Sequence, residues 1–386
     1  MKYIIFFIIS FLTNMTFAGE VPNWHSVYQY KPKSINSNRM VSFILKDNSL
    51  FIPDFSTLYK VSLNTGELAE FPLNRDFDVD PQIMKAPKEG FYYMDFVNEN
   101  VLFVSYENDK GIRIWDPSLT KLLEVMDNPC GEQYPYRISP NNKFLSCGSK
   151  LYSLSTQQII LNPHVLFVHN SGFSTDKYFF YFSRENNNAD SSAFFYDINN
   201  QMNYELKHED LITYAYLSKH SNVLALATKG SWFKRDKLYV YHLPNTQRVL
   251  VDTTSTEGLI ISPDGEYILV SNSSGVNVYK NIKGTFVKHK KLPIQLHMDG
   301  INNVSYEKSS YTTMIFATKD KALFLTQSGD LQLWNIDQGT LIHSIGINKT
   351  GKTALRFLYQ PENNYVVVQW KEDYMIDVYK ISVGDK

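Results

Sequence analysis

The sequence predicts an all-β fold, a single closed β-propeller of eight blades with seven as the alternative count, and three observations predict it. The first is a repeated phrase in which alternating apolar residues end on an aromatic and then a polar step. It reads Ile112-Arg113-Ile114-Trp115-Asp116, Leu331-Gln332-Leu333-Trp334-Asn335, Leu238-Tyr239-Val240-Tyr241-His242, Val276-Asn277-Val278-Tyr279-Lys280 and Ile376-Asp377-Val378-Tyr379-Lys380. With weaker copies at Val61, Tyr152 and Tyr196, the phrase recurs about every 45 residues, the length of one propeller blade. The second is a turn signature, Ser139-Pro140-Asn141-Asn142, Ser262-Pro263-Asp264-Gly265 and Gln360-Pro361-Glu362-Asn363, in which proline presets φ and Asn, Asp or Gly closes a hairpin. The third lies at the ends. The last repeat stops after its third strand, while His25 to Tyr30 alternates like a strand and precedes the first full repeat. A ring closed by that strand leaves no free sheet edge.

Taken in order, Met1-Lys2, the apolar run Tyr3 to Leu12 and Thr16-Phe17-Ala18 before Gly19-Glu20 read as a signal peptide cut after Ala18. That leaves residues 19–386 as one propeller domain, exported to the periplasm or the outside. The run is short of the roughly 20 residues a spanning helix needs, and no later segment is more apolar, so no membrane span is expected. Blade three reads as Tyr136 to Ile138, Lys143 to Cys147, Lys150 to Tyr152 and Gln158 to Leu161, and blade six as Gly258 to Ser262, Tyr267 to Ser271, Val276 to Tyr279 and Thr285 to His289. The terminal aromatics, Trp115 and Trp334 among them, are expected as filler between adjacent blades.

With 38 basic and 39 acidic residues the chain has no overall electrostatic lean, so nucleic acid is not an expected partner, although this balance does not exclude local basic patches. Cys130 and Cys147 flank one hairpin at the same blade end. Export would let them form a disulfide; two free thiols are the other reading. Two cysteines cannot build a zinc finger, and no Cys-x-x-Cys-His stands for covalent haem.

The phrases Ser262-Pro263-Asp264-Gly265-Glu266-Tyr267 and Leu333-Trp334-Asn335-Ile336-Asp337-Gln338-Gly339, with Asp109 six residues before Trp115, resemble the WD40 and related quinoprotein-like propellers over nearly the whole mature chain. The Gly-His pair of WD40 repeats is missing, and most copies carry Tyr where Trp is usual. The resemblance implies a ring-shaped interaction scaffold. It also leaves room for a metal-assisted hydrolase or lactonase with its site at the channel mouth, and for a quinoprotein oxidoreductase as a poorer third.

In such a ring the first strand of each blade lines the channel. Asp95, Arg137, His169 and Arg356 are the polar residues of first strands and are expected there. His164, the run His208-Glu209-Asp210, and His297 with Asp299 stand in loops entering first strands, where a metal site would have to draw its ligands together. Asp76-x-Asp78-x-Asp80 opens like a calcium loop, but Pro81 and Pro87 occupy the places of its Gly and Glu. No nucleophile elbow or phosphate loop occurs, so neither a catalytic set, a metal nor a cofactor is expected. The loop from Lys229 to Arg235 frames Trp232 and Phe233 with cations, a costly exposure unless something covers it. Trp232, Phe233, Lys234 and Arg235, with His208, Glu209 and Asp210 on the neighbouring loop, are therefore the expected contact set for a protein or peptide partner of a monomeric chain.

Overall fold

A computed structural model describes residues 24–30, 43–54, 57–72, 91–105, 112–126, 136–163, 168–174, 177–184, 191–208, 210–230, 235–296, 313–347, 354–370 and 375–383. They form eight four-stranded antiparallel sheets. Strand β1 (His25–Tyr30) stands apart. Blade one is β2 (Ile44–Lys46), β3 (Ser49–Asp54), β4 (Thr57–Ser62) and β5 (Leu68–Pro72), and blade two is β6 (Phe91–Val97), β7 (Asn100–Ser105), β8 (Ile112–Trp115) and β9 (Leu122–Met126). Blade three is β10 (Tyr136–Ile138), β11 (Phe144–Cys147), β12 (Lys150–Ser153) and β13 (Gln158–Leu161), and blade four is β14 (Val168–Ser174), β15 (Tyr178–Arg184), β16 (Ser191–Asp197) and β17 (Met202–His208). Blade five is β18 (Leu211–Leu217), β19 (Val223–Lys229), β20 (Lys237–His242) and β21 (Val249–Asp252), and blade six is β22 (Gly258–Ile261), β23 (Tyr267–Asn272), β24 (Gly275–Ile282) and β25 (Thr285–Leu292). Blade seven is β26 (Met314–Phe316), β27 (Lys321–Leu325), β28 (Asp330–Asn335) and β29 (Thr340–Gly346). Blade eight is β30 (Ala354–Gln360), β31 (Tyr365–Trp370) and β32 (Ile376–Lys380), completed by β1.

Every copy of the repeated phrase is the third strand of a blade. Its terminal residue does the same job each time. Each blade alternates apolar side chains onto both faces because both are covered by neighbours, and the buried side chains sort into eight clusters, one at each seam of the ring. Trp115 packs on Phe51 and Leu58 of the preceding blade. Tyr152 meets Leu102 and Ile112, and Tyr196 meets Leu151. Tyr241 meets Phe195, Trp334 meets Leu269 and Tyr379 meets Leu331, while Val61 closes the ring against Val367 and Val378. A blade alone would leave two apolar faces in water, so the ring is the smallest arrangement that buries them all.

The turns between first and second strands use the expected chemistry. Asn142, Gly265 and Asn364 take positive φ at 58°, 76° and 56°, where Asn and Gly pay least. In two of them the leading serine caps the hairpin: Ser139 Oγ accepts from the Phe144 amide at 3.0 Å, and Ser262 Oγ from the Tyr267 amide at 2.9 Å. The predicted closure is present, with β1 antiparallel to β32, His25 opposite Lys380 and Tyr30 opposite Ile376. Two side chains latch it. The Trp24 indole donates to the Ser382 carbonyl at 3.0 Å, and the Gln29 amide donates to Asp377 at 2.7 Å.

Candidate functional site

The two mouths of the ring differ in how the chain crosses them. Turns from first to second strand and from third to fourth are short, as at Asp47-Asn48 and Asn98-Glu99. Connections from an outer strand to the next inner one, such as 253–257 between β21 and β22, open on the opposite mouth. Connections from second to third strand open there too, including residues 230–236 between β19 and β20.

That connection is tied at its base. The Gly230 amide donates to Asp236 Oδ1 at 3.0 Å, and Lys237 Nζ lies 2.7 Å from Asp210 Oδ2. Asp210 is buried in the link between β17 and β18. Ser191 Oγ donates to the Asp210 carbonyl at 3.1 Å and accepts from the Ile212 amide at 2.7 Å, which joins blade four to blade five at the same spot. The carboxylate raises the Lys237 ammonium above its ordinary pKa through their hydrogen bond. The two described stems of this connection are thus held at a half-buried ion pair.

The predicted contact residues separate into two groups. Arg235 is exposed at the mouth, whereas Trp232, Phe233, Lys234 and Glu209 lie outside the described residues. His208 and Asp210 are buried at 5% and 7% exposure, so they hold the loops and do not themselves face solvent. The reason is strand parity. His208 is the last residue of β17, opposite Ser191, and turns into the seam between blades four and five. There its Nε2 shares a hydrogen bond of 2.7 Å with the Tyr241 hydroxyl, and the ring lies 5.3 Å from that of Tyr239.

Burial, then the nearby Arg248 charge, pushes the His208 pKa down to about 4 from 6.5. The folded protein therefore keeps this imidazole neutral where the unfolded chain would protonate it. Its contribution to stability is complete above pH 6.5 and is lost as the pH falls toward 4. Urea unfolding at about pH 7 and about pH 5 should show this loss in the wild type and a smaller one in His208→Gln. Tyr241→Phe should cost about 1–2 kcal/mol at neutral pH, since it strands the buried imidazole; an unchanged urea midpoint would refute that role.

Asp95, Arg137, His169 and Arg356 all fall on first strands, in β6, β10, β14 and β30. Asp95 and Arg137 are half-buried. Asp95 Oδ1 accepts from the Phe96 amide at 2.8 Å, and Arg137 donates to the Tyr136 carbonyl at 2.8 Å. The side chains of His169 and Arg356 lie outside the described residues. Tyr216 on β18, pushed up to about 12 by burial, feels the Arg137 charge, which places two first strands' side chains near one another. His164, His297, Asp299, the Asp76 to Asp80 run and the segment 1–23 are likewise outside the described residues. Among the described residues no three His, Cys, Asp or Glu side chains group as metal ligands, and no helix is long and apolar enough to cross a membrane.

Sequence reasoning missed the reason for tyrosine in the repeat. The phenol of Tyr241 reaches His208 and that of Tyr279 reaches Asp252, each on the outer strand of the preceding blade. The seam partner is polar in each case, which was the available signal.

The described strands define an eight-bladed β-propeller. No family model and no curated protein matches the chain. Among solved structures it is similar to the computationally designed Ika8 protein, with TM-score 0.59 and 15% identity over 88% of this chain and 95% of that one. It is also similar to the C-terminal WD40 domain of Sif2, with TM-score 0.58 and 10% identity over 93% and 98%. The β-propeller domain of Cps50 (Swd1) from Myceliophteria thermophila gives TM-score 0.48 and 12% identity over 76% and 99%. The likeness to the Ika8 protein and to the Sif2 domain is one of β-propeller fold.

Proposed function

We propose that this protein is an exported, monomeric interaction scaffold that captures a protein or peptide partner on the mouth of the ring opposite the first-to-second-strand turns. The observation that carries this reading is the tethered connection 230–236, whose stems are fixed by Asp236 and by the Asp210–Lys237 pair. Trp232 and Phe233 in its sequence, followed by Lys234 and Arg235, have the composition of an interface anchor. Glu209 supplies a carboxylate on the adjoining link, with His208 and Asp210 as its support. Trp232→Ala should weaken partner capture by about 2 kcal/mol, roughly thirtyfold, with the melting temperature nearly unchanged. A large loss of stability with unaltered capture would move the contact face elsewhere.

Export rests on the N-terminal segment 1–18 and gives the cysteines an oxidising setting. Cys147 ends β11 opposite Tyr136 and is fully buried, and Cys130 is the chain's other cysteine. A Cys130–Cys147 disulfide closing this hairpin is worth on the order of 3 kcal/mol. Thiol titration of the unfolded, unreduced protein should find none; two titratable thiols would end the proposal.

A further inference from the structure

Strand register picks out one residue of each first strand that lies level with the residue before the terminal position of the repeated phrase. On blades two to five it is Asp95, Arg137, Gly172 and Tyr216, aligned through the second strands with Ile114, Leu151, Phe195 and Val240. On the other four blades it is isoleucine or leucine. These eight form one collar of the channel wall, polar on one half and aliphatic on the other. Tyr136 and Ile138 pack toward blade two, so Arg137 between them leaves blade three on the side of blade four, away from Asp95. The first strands of blades three, four and five contain no acidic residue. The Arg137 guanidinium donates to the Tyr136 carbonyl and has no carboxylate partner among the described residues.

Gly172, between Arg137 and Tyr216 around the ring, is the one collar position without a side chain, and no atom lies within 4 Å of where its Cβ would stand. The Arg137 charge is felt across this gap by the Tyr216 phenol, which burial keeps protonated and therefore a donor. The Tyr216 hydroxyl makes no hydrogen bond among the described residues, whereas that of Tyr214, on the same face of β18, donates to the Glu257 carbonyl at 2.6 Å. We infer that the gap over Gly172 is a binding site for the carboxylate group of a small organic acid, held by the Arg137 guanidinium and the Tyr216 hydroxyl. One cation beside one neutral donor matches a single negative charge, which favours a carboxylate over a phosphate dianion. Ile315 and Leu358 of the aliphatic half are only half-buried, which suits an apolar body on the acid.

The test is calorimetric titration of the protein with hexanoate, against hexanol and hexylamine as controls of equal chain length. Hexanoate should bind with a dissociation constant on the order of 1 mM, and neither control should bind comparably. Arg137→Gln should weaken hexanoate binding about tenfold or more, and Tyr216→Phe by roughly fivefold. Gly172→Val guards against loss of fold. It fills the gap with a side chain that strands favour, so binding should vanish while the urea midpoint holds or rises. No binding by the wild type, equal binding of hexanoate and hexanol, or undiminished binding by folded Arg137→Gln or Gly172→Val would overturn the proposal. Binding of a short Asp-rich peptide with none of hexanoate would overturn it too, in favour of an acidic protein segment.

Discussion

A protein lacking residues 19–31 is expected to lose more than about 5 kcal/mol of stability and to associate at concentrations where the intact ring is monomeric. The deletion removes β1, the hydrogen-bonding neighbour on the outer side of β32. It also removes the buried side chains of Trp24 and Tyr30, each worth about 1.5–3 kcal/mol of apolar burial. The Gln29 amide on Asp377 goes with them. Asp377 is almost wholly buried and would lose one hydrogen-bond donor, while the Trp370 indole at 2.6 Å stays in place. Thermal unfolding with sedimentation velocity reads both effects. A truncated chain that melts within a few degrees of the intact one and sediments as a monomer would mean that closure contributes little.

Trp115→Ala should be the most damaging single substitution in the seams between blades, at about 3–5 kcal/mol. Trp115 is 2% exposed among Phe51, Leu58, Met94, Val101 and Leu119, residues drawn from two blades. The space it leaves cannot collapse easily, because each wall is a sheet held by its own ladder. Chemical denaturation should show the loss, and partner capture by the remaining folded fraction should match that of the wild type. A cost under about 1 kcal/mol would place the stability of the first seam elsewhere. Opposite outcomes for Trp115 and Trp232, one in stability and the other in binding, would separate the tryptophan that builds the ring from the one proposed to face a partner.

The ring was legible because its rule is written in periodicity. The spacing of Val61, Trp115, Tyr152, Tyr196, Tyr241, Tyr279, Trp334 and Tyr379 marks every third strand, and the missing last strand pointed to His25–Tyr30 as its substitute. Short elements without the phrase, such as β2 with only Ile44–Lys46, left seven blades as an alternative that the structure removes. The site was less legible. Whether His208 faces water or a seam turns on one residue of strand parity, and its partner Tyr241 lies 33 positions away on another blade. The Asp210–Lys237 pair, 27 positions apart, is equally invisible to local pattern. Only the fold brings such residues together.

The latch between Trp24 and Ser382 spans 358 positions of sequence. A chain stopped anywhere before Ile376 therefore leaves β1 without its seat and the last sheet without its rim, two raw edges from one missing end. The ring thus works as a length gauge: only a chain carrying both β1 and β32 can shut, and a product lacking either stays open to proteolysis and association.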